Sequence, residues 1–126
     1  MLEKGFIIAG TQSGVGKSSV TLAVMQQLKQ AGVPFSPFKS GPDYLDPMWH
    51  QAVSGCTSYN IDTQMMSKEL CLETVATADS LALIEGVMGL YDGKQGVGEK
   101  GSTADLARTL GLPVILVVNA SGMAGS

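Results

Sequence analysis

The 126-residue sequence predicts an α/β protein with a mostly parallel sheet, and three observations carry that prediction. Short apolar runs bounded by glycine or proline recur as "GFIIAG" (5–10), "SLALIEG" (80–86) and "PVILVVN" (113–119), the pattern of strands buried on both faces. Stretches with helical periodicity and recognisable stop signals separate them. The resulting order, strand, helix, strand, helix, strand, helix, strand, implies parallel neighbours joined by right-handed crossovers.

The elements follow in chain order. After the first run, Val20, Val24, Leu28 and Ala31 recur at i, i+4, i+8 and i+11, one face of a helix that Gly32 and Pro34 close. "PFSPFKSG" (34–41) predicts a short strand confined to a sheet edge or a strand start, because proline cannot donate to a ladder. A polar turn follows, then a short helix around 47–53. Ser67 caps a helix through Leu70, Leu72 and Val75. The strand "SLALIEG" ends on the carboxylate of Glu85, and the glycine-rich stretch at 86–102 lacks periodicity and reads as a mobile loop. Ser102 and Asp105 form a capping box for a helix through Leu106, Ala107 and Leu110, stopped by Gly111 and Pro113. No helical pattern follows the last strand, so its face calls for a partner or for further chain.

Composition narrows the function. One domain fits this length, and 44% hydrophobic with 15% charged residues is globular rather than disordered. A net charge of −3 and a pI near 4.9 argue against a general nucleic-acid binder. The longest apolar runs are too short to span a bilayer, and Glu3 and Lys4 are not the start of a signal peptide, so a cytoplasmic protein is expected. Cys56 and Cys71 lack metal-ligand spacing and read as structural thiols.

The strongest motif is "GTQSGVGKS" (10–18), lying between a buried strand and a helix. Glycines there let backbone N–H groups converge on phosphate oxygens, and the helix N-terminus adds partial positive charge. Thr11, Gln12, Ser13, Gly14, Val15, Gly16, Lys17, Ser18 and Ser19 are therefore the candidate ATP-binding residues. Lys17 would reach the β- and γ-phosphates and the Ser18 hydroxyl would ligate Mg²⁺. The fold expectation sharpens to the three-layer P-loop NTPase type, truncated on its C-terminal side. Five residues rather than four separate Gly10 from Gly16, and Thr11 stands where a glycine is usual.

A second concentration of polar chemistry is "FKSGPDYLDPMWH" (38–50), which holds Lys39, Asp43, Tyr44, Asp46 and the chain's only histidine, His50. In parallel α/β sheets, ligands bind at the carboxyl ends of strands. Lys17, the Lys39/Asp43/Asp46 group and Glu85 all follow strands in that way, and Asp92 lies in the adjoining glycine-rich loop. Turn chemistry alone accounts for Asp43, Asp46 and Asp92, and a helix face accounts for His50.

The P-loop wording resembles the dethiobiotin synthetase and cobyrinate amidase branch of P-loop enzymes. Partition and septum-site ATPases carry a lysine at the position of Gln12. With "PFKSGPDYLDPMWH", "NID", "EGVMGLYDG" and "GSTADLA" added, nearly the whole chain resembles cobyrinic acid a,c-diamide synthases. That resemblance implies an N-terminal part, residues 1–126, of an ATP- and Mg²⁺-dependent amidoligase domain. Such enzymes amidate the a- and c-carboxylates of a corrinoid through an acyl phosphate, with glutamine or ammonia as donor. It also implies catalytic roles for Lys17, Lys39, Asp43, Asp46, Glu85 and Asp92. Ser18, Asp43 and Glu85 would be metal ligands, and Lys39, Tyr44, Asp46, His50 and Asp92 would face the substrate.

The expected partners are a tetrapyrrole carboxylate and a glutaminase module, which this sequence does not contain; self-association is a further expectation. Neither cysteine sits in a glutaminase nucleophile context. Asn119 ends the last strand where the resemblance implies an acidic residue. Two other readings compete: a dethiobiotin-synthetase-like carboxylating ligase, and a P-loop ATPase switch that binds protein partners. Gln12 and the acidic turn weigh against the switch.

Overall fold

Strands β1 (Gly5–Gly10), β2 (Phe35–Ser40), β3 (Tyr59–Ile61), β4 (Leu81–Gly89) and β5 (Val114–Val117) form one sheet in the order β3-β2-β4-β1-β5. Every pairing is parallel. The structure is a computed structural model that describes residues 4–12, 14–41, 45–61, 66–78, 80–93 and 101–121, with the backbone alone at 45 and 46. Helices α1 (Lys17–Gln30), α2 (Leu45–Ser54), α3 (Lys68–Ala76) and α4 (Thr103–Leu110) complete it.

Strand alternation divides the core in two. Ile7, Phe38, Ala82 and Ile84 pack with Cys71, Val75, Leu106 and Leu110 of α3 and α4. Ile8, Phe35 and Leu83 pack with Met25 of α1 and, at the margin, Val53 of α2. Glu85 is two residues beyond Leu83, so its side chain belongs to the α1/α2 side. Lys39 lies four beyond Phe35 and shares that side.

The local end signals behave as their chemistry requires. Ser67 Oγ accepts from Leu70 N, and Ser102 Oγ accepts from Asp105 N. Asp105 closes its box one residue further out than expected, accepting from Gly101 N rather than from the cap residue. Helix α1 ends in a Schellman arrangement, with Gly32 N bonding Lys29 O and Val33 N bonding Leu28 O.

Five expectations need correction. The sheet has a further strand, β3, whose three residues are too few to show a period. Strand β2 is not an edge: β4 pairs it from Phe35 to Lys39 and β3 pairs it on the other side. Pro37 is tolerated because the β3 ladder begins only at Phe38. On α1 the fully buried residues are Thr21 and Met25; Val20, Val24 and Leu28 are half-buried and Ala31 is exposed. Thr21 enters the core with its hydroxyl donated to Lys17 O.

Glu85 does not end its strand, since β4 continues to Gly89. Part of the expected mobile loop is thereby strand, and Leu90 N continues the pairing onto Gly10 O. Residues 94–100 of that loop lie outside the described residues. Of the two thiols, Cys71 is in the core, while Cys56 is exposed.

Candidate active site

The phosphate-loop stretch joins β1 to α1 at the carboxyl end of the sheet. Gly14 and Gly16 take left-handed φ values of 79° and 97°, which a side chain would strain. Gly10 is required for closeness instead: a Cβ there would stand 2.7 Å from Val15 Cγ2 and 3.0 Å from Gln12 O. No described side chain caps Gly16, and the first turn of α1 holds no acid. A helix start of this kind favours an anion through its amide groups and partial positive charge.

Thr11, Gln12, Gly14, Gly16 and Ser19 are exposed, while Val15, Lys17 and Ser18 are half-buried. The loop therefore presents its backbone outward. Ser13 lies outside the described residues.

Beneath the loop is a buried carboxylate. Glu85 is fully buried, and its register partner on β2 is Lys39. Ser18 donates its hydroxyl to Glu85 Oε2 at 3.0 Å, and Lys39 Nζ lies 3.8 Å from the same oxygen. His50, fully buried on α2, reaches Glu85 Oε1 through Nε2 at 2.8 Å. Its Nδ1 meets Ser58 Oγ at 2.8 Å. Lys39 also donates to Gly86 O at 2.6 Å. Among the described residues, every buried side-chain nitrogen and oxygen has a partner. Buried charges survive on such terms only.

The glycines after Glu85 bring β4 under the loop. A Cβ on Gly89 would stand 2.8 Å from Thr11 O and 2.7 Å from Asp92 Oδ2. Asp92 is exposed and accepts from Gly89 N at 3.0 Å, so in this arrangement it shapes its own turn. Thr103 anchors the other side, donating to Val87 O and accepting from Val87 N.

Of the expected metal set, Ser18 and Glu85 come together, while Asp43 lies outside the described residues, as does Tyr44. The side chain of Asp46 is likewise not described. No group of three or more His, Cys, Asp or Glu gathers as a metal cluster among the described residues. The Ser18 and Glu85 oxygens nevertheless fit Mg²⁺, which takes hard oxygen donors and keeps several waters. Sequence patterning placed His50 on a helix face and Ser58 nowhere. No periodic signal announces their joint contact, because it depends on where α2 and the segment before β3 meet β4.

A parallel sheet with a phosphate-type loop and a buried acid on the adjacent strand defines the class of P-loop nucleotide-binding domains. The family described as "AAA domain" matches residues 4–124, and the chain belongs to that family. It is 49% identical to the cobyrinate a,c-diamide synthase of Thermoplasma volcanium over 123 residues, covering 95% of this chain and 27% of that protein. The corresponding synthase of Priestia megaterium is 45% identical, over 100% of this chain and 28% of its own length. The hydrogenobyrinate a,c-diamide synthase of Brucella anthropi is 48% identical, over 92% of this chain and 27% of its own length. The chain thus spans just over a quarter of the length of these relatives. No described helix is long and apolar enough to cross a membrane.

Proposed function

We propose that the protein carrying this chain is an ATP- and Mg²⁺-dependent carbon–nitrogen ligase that amidates the a- and c-carboxylates of cobyrinic acid or a closely related tetrapyrrole. The observation that carries this reading is the Glu85 carboxylate. It joins Ser18 of the phosphate loop to Lys39, the cation near the carboxyl end of β2. The names of the relatives supply the acceptor class.

In this reading the α1 N-terminus and Lys17 hold the phosphates of ATP. Ser18 and Glu85 hold Mg²⁺, which would neutralise charge as the γ-phosphoryl group moves. Lys39 draws the acceptor carboxylate to the nucleotide, and to do so its ammonium exchanges Gly86 O for the incoming oxygen. A carboxylate oxygen takes the γ-phosphoryl group and ADP leaves. Ammonia from glutamine then attacks the acyl carbon, phosphate departs with the C–O electrons, and the amide remains. Asp43, Asp46 and Asp92 orient the acceptor or take the proton that the attacking nitrogen loses. Tyr44 is assigned to acceptor binding. A glutaminase module supplies the ammonia, and the cytoplasm supplies ATP and glutamine.

Calorimetric titration with Mg·ATP, beside Lys17→Ala, tests the nucleotide half; binding lost in the variant is the expected result. For the acceptor half, the full-length protein is given ATP, Mg²⁺, glutamine and cobyrinic acid. Mass spectrometry should then show two carboxyl-to-amide conversions matched by ADP. ATP hydrolysis indifferent to the tetrapyrrole acid and responsive only to a protein partner would overturn the reading.

A further inference from the structure

We propose that His50 is a positioning residue, which holds Glu85 so that Oε2 faces Ser18 of the phosphate loop. The inference rests on the reading above for the role of the Ser18–Glu85 pair, and assigns to His50 an action through Glu85 rather than on a substrate.

The geometry distinguishes the two carboxylate oxygens. Oε1 meets His50 Nε2 at 2.8 Å, whereas Oε2 meets the Ser18 hydroxyl at 3.0 Å and faces Lys39 Nζ at 3.8 Å. An ionised carboxylate only accepts, so Nε2 carries the proton in this contact. Nδ1, at 2.8 Å from Ser58 Oγ, is held from the other side, so the imidazole ring cannot rotate without losing one bond. The histidine is fully buried, which leaves it no direct access to a soluble acceptor in this arrangement.

Three separate segments thereby fix one carboxylate: α1 through Ser18, β2 through Lys39, and α2 through His50. Without His50, Oε1 would lose this donor, and the carboxylate could swing toward the Lys39 ammonium and away from Ser18. Outer partners that orient a metal-holding carboxylate or histidine alter metal affinity by about 10–100-fold when removed.

The test is Mg²⁺ titration of the full chain with ATP present, together with ATP titration in chelator. In His50→Gln the amide nitrogen reaches the position of Nε2 and keeps the donor to Glu85. In His50→Asn the amide reaches the Nδ1 position instead and keeps Ser58 only. The expected result is near-native Mg²⁺ affinity in His50→Gln and a loss of about ten-fold or more in His50→Asn. Chelator-side ATP affinity should be unchanged in both.

A folded His50→Asn with native Mg²⁺ affinity would overturn the assignment, as would a His50→Gln that fails as badly as His50→Asn. Should His50→Asn not fold, Ser58→Ala decides, since it frees the ring while leaving the imidazole in place. A reduced Mg²⁺ affinity with unchanged chelator-side binding supports the assignment, and full retention sinks it. A wild-type chain that binds ATP without any Mg²⁺ dependence defeats the functional reading of Ser18 and Glu85 itself, and the role of His50 with it.

Discussion

Lys39 and Glu85 are direct register partners on adjacent parallel strands, their charged groups 3.8 Å apart and almost wholly buried. Parallel pairing of β2 with β4 and the two-residue period of both strands put the two side chains on the same face. Each charge is costly there without the other. Removing one partner of such a pair typically destabilises by about 3–5 kcal/mol, whereas replacing both by apolar groups can be nearly neutral.

Glu85→Ala should therefore lower the unfolding free energy by about 3–5 kcal/mol, because it takes the compensating carboxylate from the buried Lys39 ammonium and removes an acceptor from Ser18 and His50. The pair Lys39→Met with Glu85→Leu should recover a large part of that loss while abolishing any Mg²⁺-dependent binding. Urea denaturation of Lys39→Met, Glu85→Leu and the double closes the cycle. Losses that simply add would show that the two groups do not stabilise one another.

How much of this was legible in the sequence follows from the range of each signal. The glycine-rich loop before α1, the Ser67 cap and the Ser102 cap are each written within a few neighbouring residues, and the structure starts α1, α3 and α4 where that spacing did. The buried state of Glu85 is not local. An acid after an apolar run reads as a strand end, and it is far-off residues, Ser18, Lys39 and His50 among them, that make a mid-strand carboxylate tolerable. Strand β3 escaped for a simpler reason: three residues, one of them exposed, show no alternation. The α1 stripe was read by hydrophobicity, which hides Thr21, a polar residue buried by its own backbone bond.

Two glycines should fail differently. Gly16 has φ 97° and open space around its missing side chain, so Gly16→Ala strains only the backbone. A cost of about 1–2 kcal/mol is expected, accompanied by weaker ATP binding as the loop relaxes. Gly89→Ala instead drives a methyl against Thr11 O and Asp92 Oδ2, a packing clash of about 1–3 kcal/mol. Truncating Asp92 as well should relieve part of the Gly89→Ala loss and none of the Gly16→Ala loss. Calorimetry and thermal unfolding of the four variants check this; relief in both backgrounds would refute the distinction.

Met88 is the one described non-glycine residue with a left-handed backbone, at φ 50°, and it is half-exposed. It sits in an irregularity of the β1–β4 ladder: Ile8 pairs with Glu85 and Gly10 with Gly89, so two steps on β1 oppose four on β4. That bulge carries β4 past the buried acid and turns it under the phosphate loop. Met88→Gly should stabilise the fold by up to about 1 kcal/mol, because relief of the left-handed strain exceeds the entropy that glycine adds to the unfolded chain. A lower midpoint in denaturant would show that the Met88 side chain contributes more than its backbone costs.

Strand β5 lies at one end of the sheet order, and its consecutive residues Ile115 and Leu116 are 47% and 46% exposed. Neighbouring residues on a strand face opposite sides, so both faces of β5 are partly uncovered. An apolar edge strand is a template for pairing with another chain. This chain is therefore expected to self-associate at high concentration through β5. Leu116→Lys should shift it toward monomer, since a charged side chain on an edge opposes pairing. Sedimentation velocity at several concentrations reads the shift, and Mg·ATP titration should be unaffected, because alternation from Val114 puts Leu116 on the α3/α4 side of the sheet, opposite Lys39 and Glu85. An association that persists unchanged in Leu116→Lys would move the contact to the half-buried stripe of Val20, Val24 and Leu28 on α1, where Val24→Lys is the corresponding test.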